Sequence, residues 1–269
     1  GFKTTEIPVN SEGMFNVADV NEETKKSLTF LSVMMANNET GVIQNIAEIA
    51  DWAKKNDIQF HTDAVQALGK IKVDFEGLDI DAMTISSHKI YGPQGIAALI
   101  VNKKIDLFPH MQGGGQERGL RSGTENIAAI IGFGKACERS SQNIVTFNER
   151  VKQLNSILEK ALFDLGAVIF CKKSHRLSNT TFFSFKNIDG STLLTALDRK
   201  GFAIASGSAC SSKSSEPSHV LLSMGVDLDL AQGALRVSLG LESTENEIND
   251  FIETLKDEVN RLKQLTAVA

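Results

Sequence analysis

Four residues have side-chain types and surroundings that suit chemistry at one site: Lys89, Asp63, Cys210 and Arg236. Lys89 lies in ISSHKIYGPQG, between a predicted strand and a Pro-Gly turn. The ordinary interpretation of a lysine is a solvated surface charge. A lysine enclosed by such flanking residues can instead lose its proton and form a Schiff base, because burial disfavours the ammonium.

Asp63 lies in HTDAVQ, directly after a predicted strand. One interpretation is a helix N-cap, since Asp accepts hydrogen bonds from free amides there. The other is a carboxylate that pairs with a pyridinium nitrogen, because a pyridoxal phosphate ring needs that proton to act as an electron sink. Asp63 precedes Lys89 by 26 residues with one predicted strand between them, so the two can meet at adjacent strand ends.

The three cysteines differ in their neighbours. Cys137 and Cys171 are interpreted as small buried hydrophobes. Cys210 lies in ASGSACSSKSS, with Ser, Gly and Lys213 around it and no apolar side chain to cover it, as a nucleophilic thiol requires once its pKa is lowered. An odd number of widely spaced cysteines without a CxxC pair predicts neither a disulfide framework nor a metal site.

Arg236 lies in ALRVSLG, a short apolar strand, where an arginine is costly unless it is paired. It forms either a structural ion pair or a bidentate clamp on a carboxylate. We favour the clamp because the other parts of a site are present.

The elements that must position these residues follow an α/β order in the first 135 residues. Hydrophobic periodicity predicts strands and helices, and polar residues follow three of the strands, at Asn37-Asn38, Asp63 and 86–89. Ligands of open α/β sheets bind at the carboxyl ends of strands, so these positions form a candidate site. The predicted strands are 28–35, 58–62, 82–86, 96–101, 179–185, 202–205 and 234–238, and the predicted helices are 45–55, 125–141, 145–165, 190–200 and 244–264.

Length and composition set the class of protein. The chain has 269 residues, of which 42% are hydrophobic, and a net charge of −5. No nucleic-acid partner is expected from this charge, and no membrane association, because no apolar run approaches the roughly 18 residues that span a bilayer. We expect a cytoplasmic protein of two domains, 1–140 and 141–269, joined after a glycine-rich loop at 107–124.

Six segments together resemble the class I cysteine desulfurases (NifS/IscS type), which are pyridoxal-phosphate enzymes of the class-V aminotransferase family. The segments are MMANNETGVIQ, HTDAVQALGK, SSHKIYGPQGIAAL, GGGQERGLRSGTEN, SGSACSS and LRVSLG. The resemblance implies an α/β fold: residues 1–140 form part of a fold-type I PLP-transferase large domain, with a mostly parallel sheet and helices on both faces. Residues 141–269 form a smaller α+β domain that carries the catalytic cysteine loop.

The resemblance also implies a role for each matching residue. Lys89 binds pyridoxal 5'-phosphate covalently and moves protons, and Cys210 attacks the sulfur of L-cysteine to form a persulfide and release L-alanine. The other expected cofactor contacts are Asp63 to the ring nitrogen, Gln66 and Asn38 to the phenolic oxygen, Ser86 and His88 to the phosphate, and Thr124 to the phosphate of the partner in a homodimer. Arg236, with Asn38 nearby, binds the substrate carboxylate. The expected acceptor is a sulfur-accepting protein such as an iron–sulfur scaffold, or a tRNA-thiolation relay.

The resemblance covers the C-terminal two-thirds of such enzymes, and residues 1–30 hold neither the family's phosphate-binding glycine loop nor its ring-stacking histidine. We therefore expect weak cofactor binding by the chain as it stands. Two alternatives stay open: another pyridoxal-phosphate aminotransferase or lyase, against which Cys210 argues, and an impaired fragment that serves as an interaction module.

Overall fold

The structure is a computed structural model that describes residues 3–207 and 216–268, with side chains as far as 265. Its helices are α1 Glu22–Ser27, α2 Ile46–Lys55, α3 Phe75–Leu78, α4 Ile127–Asp164, α5 Gly190–Asp198, α6 His219–Ser223, α7 Leu228–Gln232 and α8 Glu245–Val268. Its strands are β1 Phe30–Met34, β2 Gln59–Asp63, β3 Ala82–Ser86, β4 Ala97–Val101, β5 Val168–Ile169, β6 Thr180–Ser184, β7 Ala205–Ser206 and β8 Leu235–Ser238.

The chain divides into two compact units. The parallel-sheet unit consists of Lys25–Met35 and Asn45–Ile144, and the antiparallel-sheet unit consists of Gly1–Thr24, Ala36–Gln44 and Val145–Ala269. The division within α4 lies a few residues from the predicted boundary, but residues 1–24 and 36–44 group with the C-terminal part of the chain. The two functional domains, 1–140 and 141–269, stay a prediction.

The parallel-sheet unit contains a four-stranded sheet in the order β1-β2-β3-β4. The first three strands run parallel and β4 pairs with β3 in the antiparallel sense, so the sheet is mixed and mostly parallel, in agreement with the predicted α/β class. Alternation along β2 buries Phe60 and Thr62 on one side and directs His61 and Asp63 to the other. Helix α2 packs on β2 and buries an apolar face at helical spacing, Ile46, Ile49, Ala50 and Ala53.

The antiparallel-sheet unit contains a second four-stranded sheet in the order β5-β6-β8-β7. Every residue of β6, Thr180–Ser184, is buried, as expected of a central strand covered on both faces. The main core of this unit joins the C-terminal half of α4, β6, α5, β8 and α8, with Leu158, Phe183, Leu197, Leu235 and Leu255 all inaccessible. In the part of the chain that the structure describes, no helix is long and apolar enough to cross a membrane.

Candidate active site

Asp63 and Ser86 both lie at the carboxyl edge of the parallel strands. Asp63 is the last residue of β2 and pairs in register with Thr84 of β3. Ser86, the last residue of β3, is two positions beyond Thr84 and therefore on the same side of the sheet. Neighbouring strands are about 4.8 Å apart, so the ends of β2 and β3, where polar site residues were predicted, lie at one edge of the sheet.

Asp63 uses one carboxylate oxygen locally. Its Oδ1 accepts a hydrogen bond of 2.8 Å from the amide of Val65, which makes a turn and not a helix N-cap. Within residues 3–207 and 216–268, no hydrogen bond involves Oδ2. The half-buried carboxylate therefore keeps one oxygen to pair with a proton-bearing group of a ligand.

His61, two residues before Asp63 on β2 and on the same side of the sheet, joins three strands through hydrogen bonds of its ring. His61 Nδ1 is 2.8 Å from Ser32 Oγ, and His61 Nε2 is 2.9 Å from Thr84 Oγ1. Burial lowers the pKa of His61, and the charge of Asp63 only partly opposes this effect. A neutral, fixed imidazole thus supports the sheet edge. Sequence analysis missed this residue, although its position two before Asp63 on a strand was a usable indication.

Lys89 lies in a tight turn that directly follows β3. Residues Ser87–Ile90 form a 3-10 turn, and the hydroxyl of Ser86 is 2.8 Å from His88 Nδ1. The predicted enclosure of Lys89 is wrong, because both His88 and Lys89 are exposed. No described residue forms a hydrogen bond or ion pair with the Lys89 amine. Gly92 closes the turn by donating to Ser87, and a Cβ at Gly92 would lie 2.2 Å from Ser87 Oγ, so only glycine fits.

The two remaining predicted residues of this unit are Gln66 and Thr124, and no hydrogen bond among the described residues joins either one to Asp63, Ser86 or Lys89. Gln66 is half-buried in the turn after β2, where Lys70 Nζ donates to its main-chain oxygen at 2.8 Å and lies 3.5 Å from its side-chain oxygen. Thr124 is exposed just before α4, and no hydrogen bond among the described residues links it to the strand-edge group.

Asn38 and Arg236 belong to the antiparallel-sheet unit and contact each other there. A turn closed by the pairing of Ala36 with Ile43 presents Asn38, and Arg236 of β8 donates from Nη1 to the main-chain oxygen of Asn38 at 2.6 Å. The turn is held by the Asn37 side chain, whose Oδ1 accepts from the amides of Glu39 and Thr40 at 2.9 Å each. The predicted nucleophile, Cys210, lies outside the described residues.

The side chains at the strand edge suit pyridoxal phosphate. A carboxylate with an available oxygen fits a protonated ring nitrogen, the hydroxyl–imidazole pair fits a phosphate, and an accessible amine fits an aldehyde. By contrast, the described ranges 3–207 and 216–268 contain no group of three or more His, Cys, Asp or Glu residues that would hold a metal ion.

Sequence comparison finds relatives along nearly the whole chain. Residues 1–251 match the profile of the family "Aminotransferase class-V". A protein of Clostridium botulinum (strain Hall) named cysteine desulfurase IscS is 40% identical over 270 aligned residues, which cover 99% of this chain and 68% of the relative.

Solved structures agree with the sequence comparison. The NifS-like protein from Rickettsia africae has a TM-score of 0.87 and 37% identity, covering 95% of this chain and 69% of that one. SspA, solved in complex with cysteine, has a TM-score of 0.72 and 31% identity, covering 89% of this chain and 67% of that one. The similarity therefore extends to the three-dimensional arrangement.

Proposed function

Because this chain belongs to the class-V aminotransferases and, within them, to the cysteine desulfurases, we propose that it is a pyridoxal-phosphate-dependent sulfurtransferase acting on L-cysteine. One observation carries the proposal: Asp63, Ser86, His88 and Lys89 lie together at the carboxyl edge of the parallel strands. SspA, one of the structural relatives, was solved with cysteine, which supports that substrate class.

Pyridoxal phosphate, when bound, supplies an electron sink for the charge that develops at the substrate Cα. In the proposal, the free oxygen of Asp63 keeps a proton on the ring nitrogen, and Gln66 and Asn38 bind the phenolic oxygen. Ser86 and His88 would bind the phosphate. Lys89 would hold the cofactor covalently and would then move the proton at the substrate Cα.

Arg236 and Cys210 act on the substrate itself. The guanidinium pairs with the substrate carboxylate, as arginine does elsewhere in proteins. The Cys210 thiolate attacks the substrate sulfur, so that an S–S bond forms as the Cβ–S bond breaks. The electron pair left on carbon is protonated, which yields alanine, and the sulfur stays on Cys210 as a persulfide.

The proposal includes a homodimer in which Thr124 contacts the phosphate bound by the partner subunit. Exposed apolar side chains in the loop before Thr124 and in α4 after it support a protein contact in this part of the chain, because exposed apolar patches often mark protein interaction sites. They include Phe108, which is 86% exposed, and Ile127 and Ile131 at the start of α4. The proposed acceptor of the sulfur is an iron–sulfur scaffold or a tRNA-thiolation relay, and the proposed location is the cytoplasm, where thiols stay reduced.

The test is turnover of L-cysteine by the full chain supplied with pyridoxal phosphate and a thiol reductant. We expect equal amounts of alanine and sulfide, and reduction with borohydride should fix the cofactor to the peptide that contains Lys89. Lys89→Ala should abolish both results, whereas Lys104→Ala, an exposed lysine of the same unit, should alter neither. Covalent labelling that survives in Lys89→Ala would refute the assignment.

A further inference from the structure

Glu39 is a buried carboxylate that the proposed chemistry does not use. It is 3% exposed and lies at the tip of the 36–43 turn, next to Asn38. Its Oε2 accepts a hydrogen bond of 2.5 Å from the hydroxyl of Ser218, which is 1% exposed. A buried carboxylate is costly unless it is bonded, so this contact between residues 179 positions apart requires an explanation.

The carboxylate lies where the two ends of one segment meet. Gly207 and Ser218 flank the ten residues that include Cys210. A Cβ built on Gly207 would lie 2.9 Å from Ser218 Cβ and 3.2 Å from Glu39 Oε2, so the two ends and the carboxylate are in contact. Phe182 closes the other side at 2.8 Å, which leaves no room for a side chain at position 207.

Both ends are also tied to regular structure. Gly207 continues β7 and donates from its amide to Ala234 at 3.2 Å. Ser218 is the N-cap of α6, because its hydroxyl accepts from the amide of Leu221 at 3.2 Å. The Ser218 hydroxyl therefore links α6 to Glu39, and losing the carboxylate would remove the partner that orients it.

Electrostatics shows that burial of this carboxylate carries a cost, which its neighbours only partly offset. Burial raises the pKa of Glu39, while the hydrogen bond from Ser218 and the charges of His219 and Arg236 oppose that rise. His219 belongs to α6 and Arg236 to β8, so the opposing charges come from the same elements that the turn contacts.

We propose that Glu39 is a positioning residue that holds together the two ends of the segment bearing Cys210, and so sets the placement of that cysteine for sulfur transfer. The role in sulfur transfer rests on the proposed desulfurase function. The structural part of the inference rests on the contacts of Glu39, Gly207 and Ser218. The working contact is the hydrogen bond, which predicts that glutamine, an acceptor of the same size, substitutes for glutamate at this position.

The first measurement needs no cofactor. Amide hydrogen exchange of the full chain should be at least tenfold faster at Gly207 and Leu221 in Glu39→Ala than in the parent. Exchange of the Thr192 amide, which donates to Asp189, the N-cap of α5, should be unchanged. Glu39→Gln should stay within about threefold of the parent. Glu159→Ala is the matched control, because it removes a half-buried carboxylate of the same unit that bonds to Arg176.

The second measurement is single-turnover formation of the Cys210 persulfide in the cofactor-loaded chain. We expect a fall of at least tenfold in Glu39→Ala, near-parental rates in Glu39→Gln and Glu159→Ala, and the same cofactor absorbance in all four proteins.

Three results would overturn the inference: unchanged exchange in Glu39→Ala, faster exchange with an unchanged persulfide rate, or a Glu39→Gln variant as impaired as Glu39→Ala. A parent chain that forms no persulfide would instead refute the proposed function, and the inference with it. This outcome differs from a failure of the Glu39 inference alone, in which the parent forms the persulfide normally.

Discussion

Arg236 on β8 donates a hydrogen bond from Nη1 to the main-chain oxygen of Asn38, at 2.6 Å and across 198 positions of sequence. These are the two residues assigned to the substrate carboxylate. The bond orients the guanidinium relative to a turn that the Asn37 side chain makes rigid. The fold thus explains how an arginine is tolerated in an otherwise apolar strand.

Replacing Arg236 should weaken substrate binding more than it slows chemistry. Lysine keeps the charge but loses the planar fork, and charge-assisted hydrogen bonds are worth about 1.5–3 kcal/mol. We therefore expect Arg236→Lys to raise KM for L-cysteine about ten- to hundredfold with a smaller change in kcat, measured by alanine release. Arg199→Lys, at the exposed end of α5, is the control. An unchanged KM in Arg236→Lys would contradict the assignment.

Asp63→Asn should separate the structural and chemical roles of this residue. Asparagine can still accept from Val65, so the free energy of unfolding in urea should change little. It carries no charge to hold a proton on the ring nitrogen, and we expect turnover to fall by about a hundredfold or more. Parental turnover in a folded Asp63→Asn chain would show that Asp63 has only the structural role.

The local elements of the fold were largely predictable from the sequence. The strand predicted at 82–86 coincides with β3, and the helix predicted at 45–55 is α2 to within one residue. Both have strong apolar patterns that match a single period. The polar residues at the ends of β2 and β3 were predictable for the same reason, because strand ends define the edge at which they lie.

The prediction of two helices at 125–141 and 145–165 was wrong, because α4 is continuous. The polar run at 140–143 breaks the apolar pattern, but two of its side chains bond back to the helix backbone. Ser140 Oγ donates to Cys137 O and Asn143 Nδ2 donates to Arg139 O, so both polar side chains are satisfied within a continuous helix. Hydrophobic periodicity alone does not predict such side-chain hydrogen bonds.

The strand predicted at 202–205 was misplaced for a different reason. The apolar side chain of Phe202 suggested a strand, but its ring packs on Phe251 of α8. The Phe202 amide donates to the main-chain oxygen of Leu197, in the turn that ends α5. Pairing with β8 begins only at Ala205.

The contact of Glu39 with Ser218 could not be predicted from the sequence, because no local pattern relates residues so far apart in the chain.

Cys171 should be the slower of the two described cysteines to react. Burial, helped by the charge of Glu12, raises the pKa of Cys171 to about 11, despite opposing contributions from Arg176 and Thr40. At pH 8 only about a thousandth of this thiol is ionised, and the thiolate is the reactive form. The prediction that Cys137 is buried was wrong, since it is half-exposed, whereas Cys171 is buried as predicted. Iodoacetamide labelling read by peptide mass should therefore modify Cys137 before Cys171. Faster labelling of Cys171 in the folded chain would refute its buried position.

Asp189 should stabilise the fold as the N-cap of α5. Its Oδ2 accepts from the Thr192 amide at 2.7 Å and from the hydroxyls of Ser191 and Thr192. Asp189→Ala should lower the free energy of unfolding by about 1 kcal/mol, and Asp189→Asn by less, because asparagine is also a good N-cap. Urea unfolding at neutral pH measures both variants, and equal stabilities of Asp189→Ala and parent would contradict the cap.

The pH dependence of that cap has a definite sign. Burial alone would raise the pKa of Asp189, but its hydrogen bonds outweigh burial and lower the pKa from 3.8. A carboxyl with a lower pKa in the folded state stabilises the fold above its unfolded value, and this contribution is lost as pH falls below 3.8. The difference between parent and Asp189→Asn should therefore shrink in acid.

The central claim, sulfur transfer from L-cysteine to Cys210, is tested most directly by mass spectrometry of the cofactor-loaded chain after a single turnover with sulfur-labelled L-cysteine. We predict one labelled sulfur atom on the peptide containing Cys210, none on the peptides containing Cys137 or Cys171, and none anywhere in Cys210→Ser. Release of alanine with no labelled sulfur on Cys210, or an equal yield of labelled sulfide from Cys210→Ser, would contradict the account.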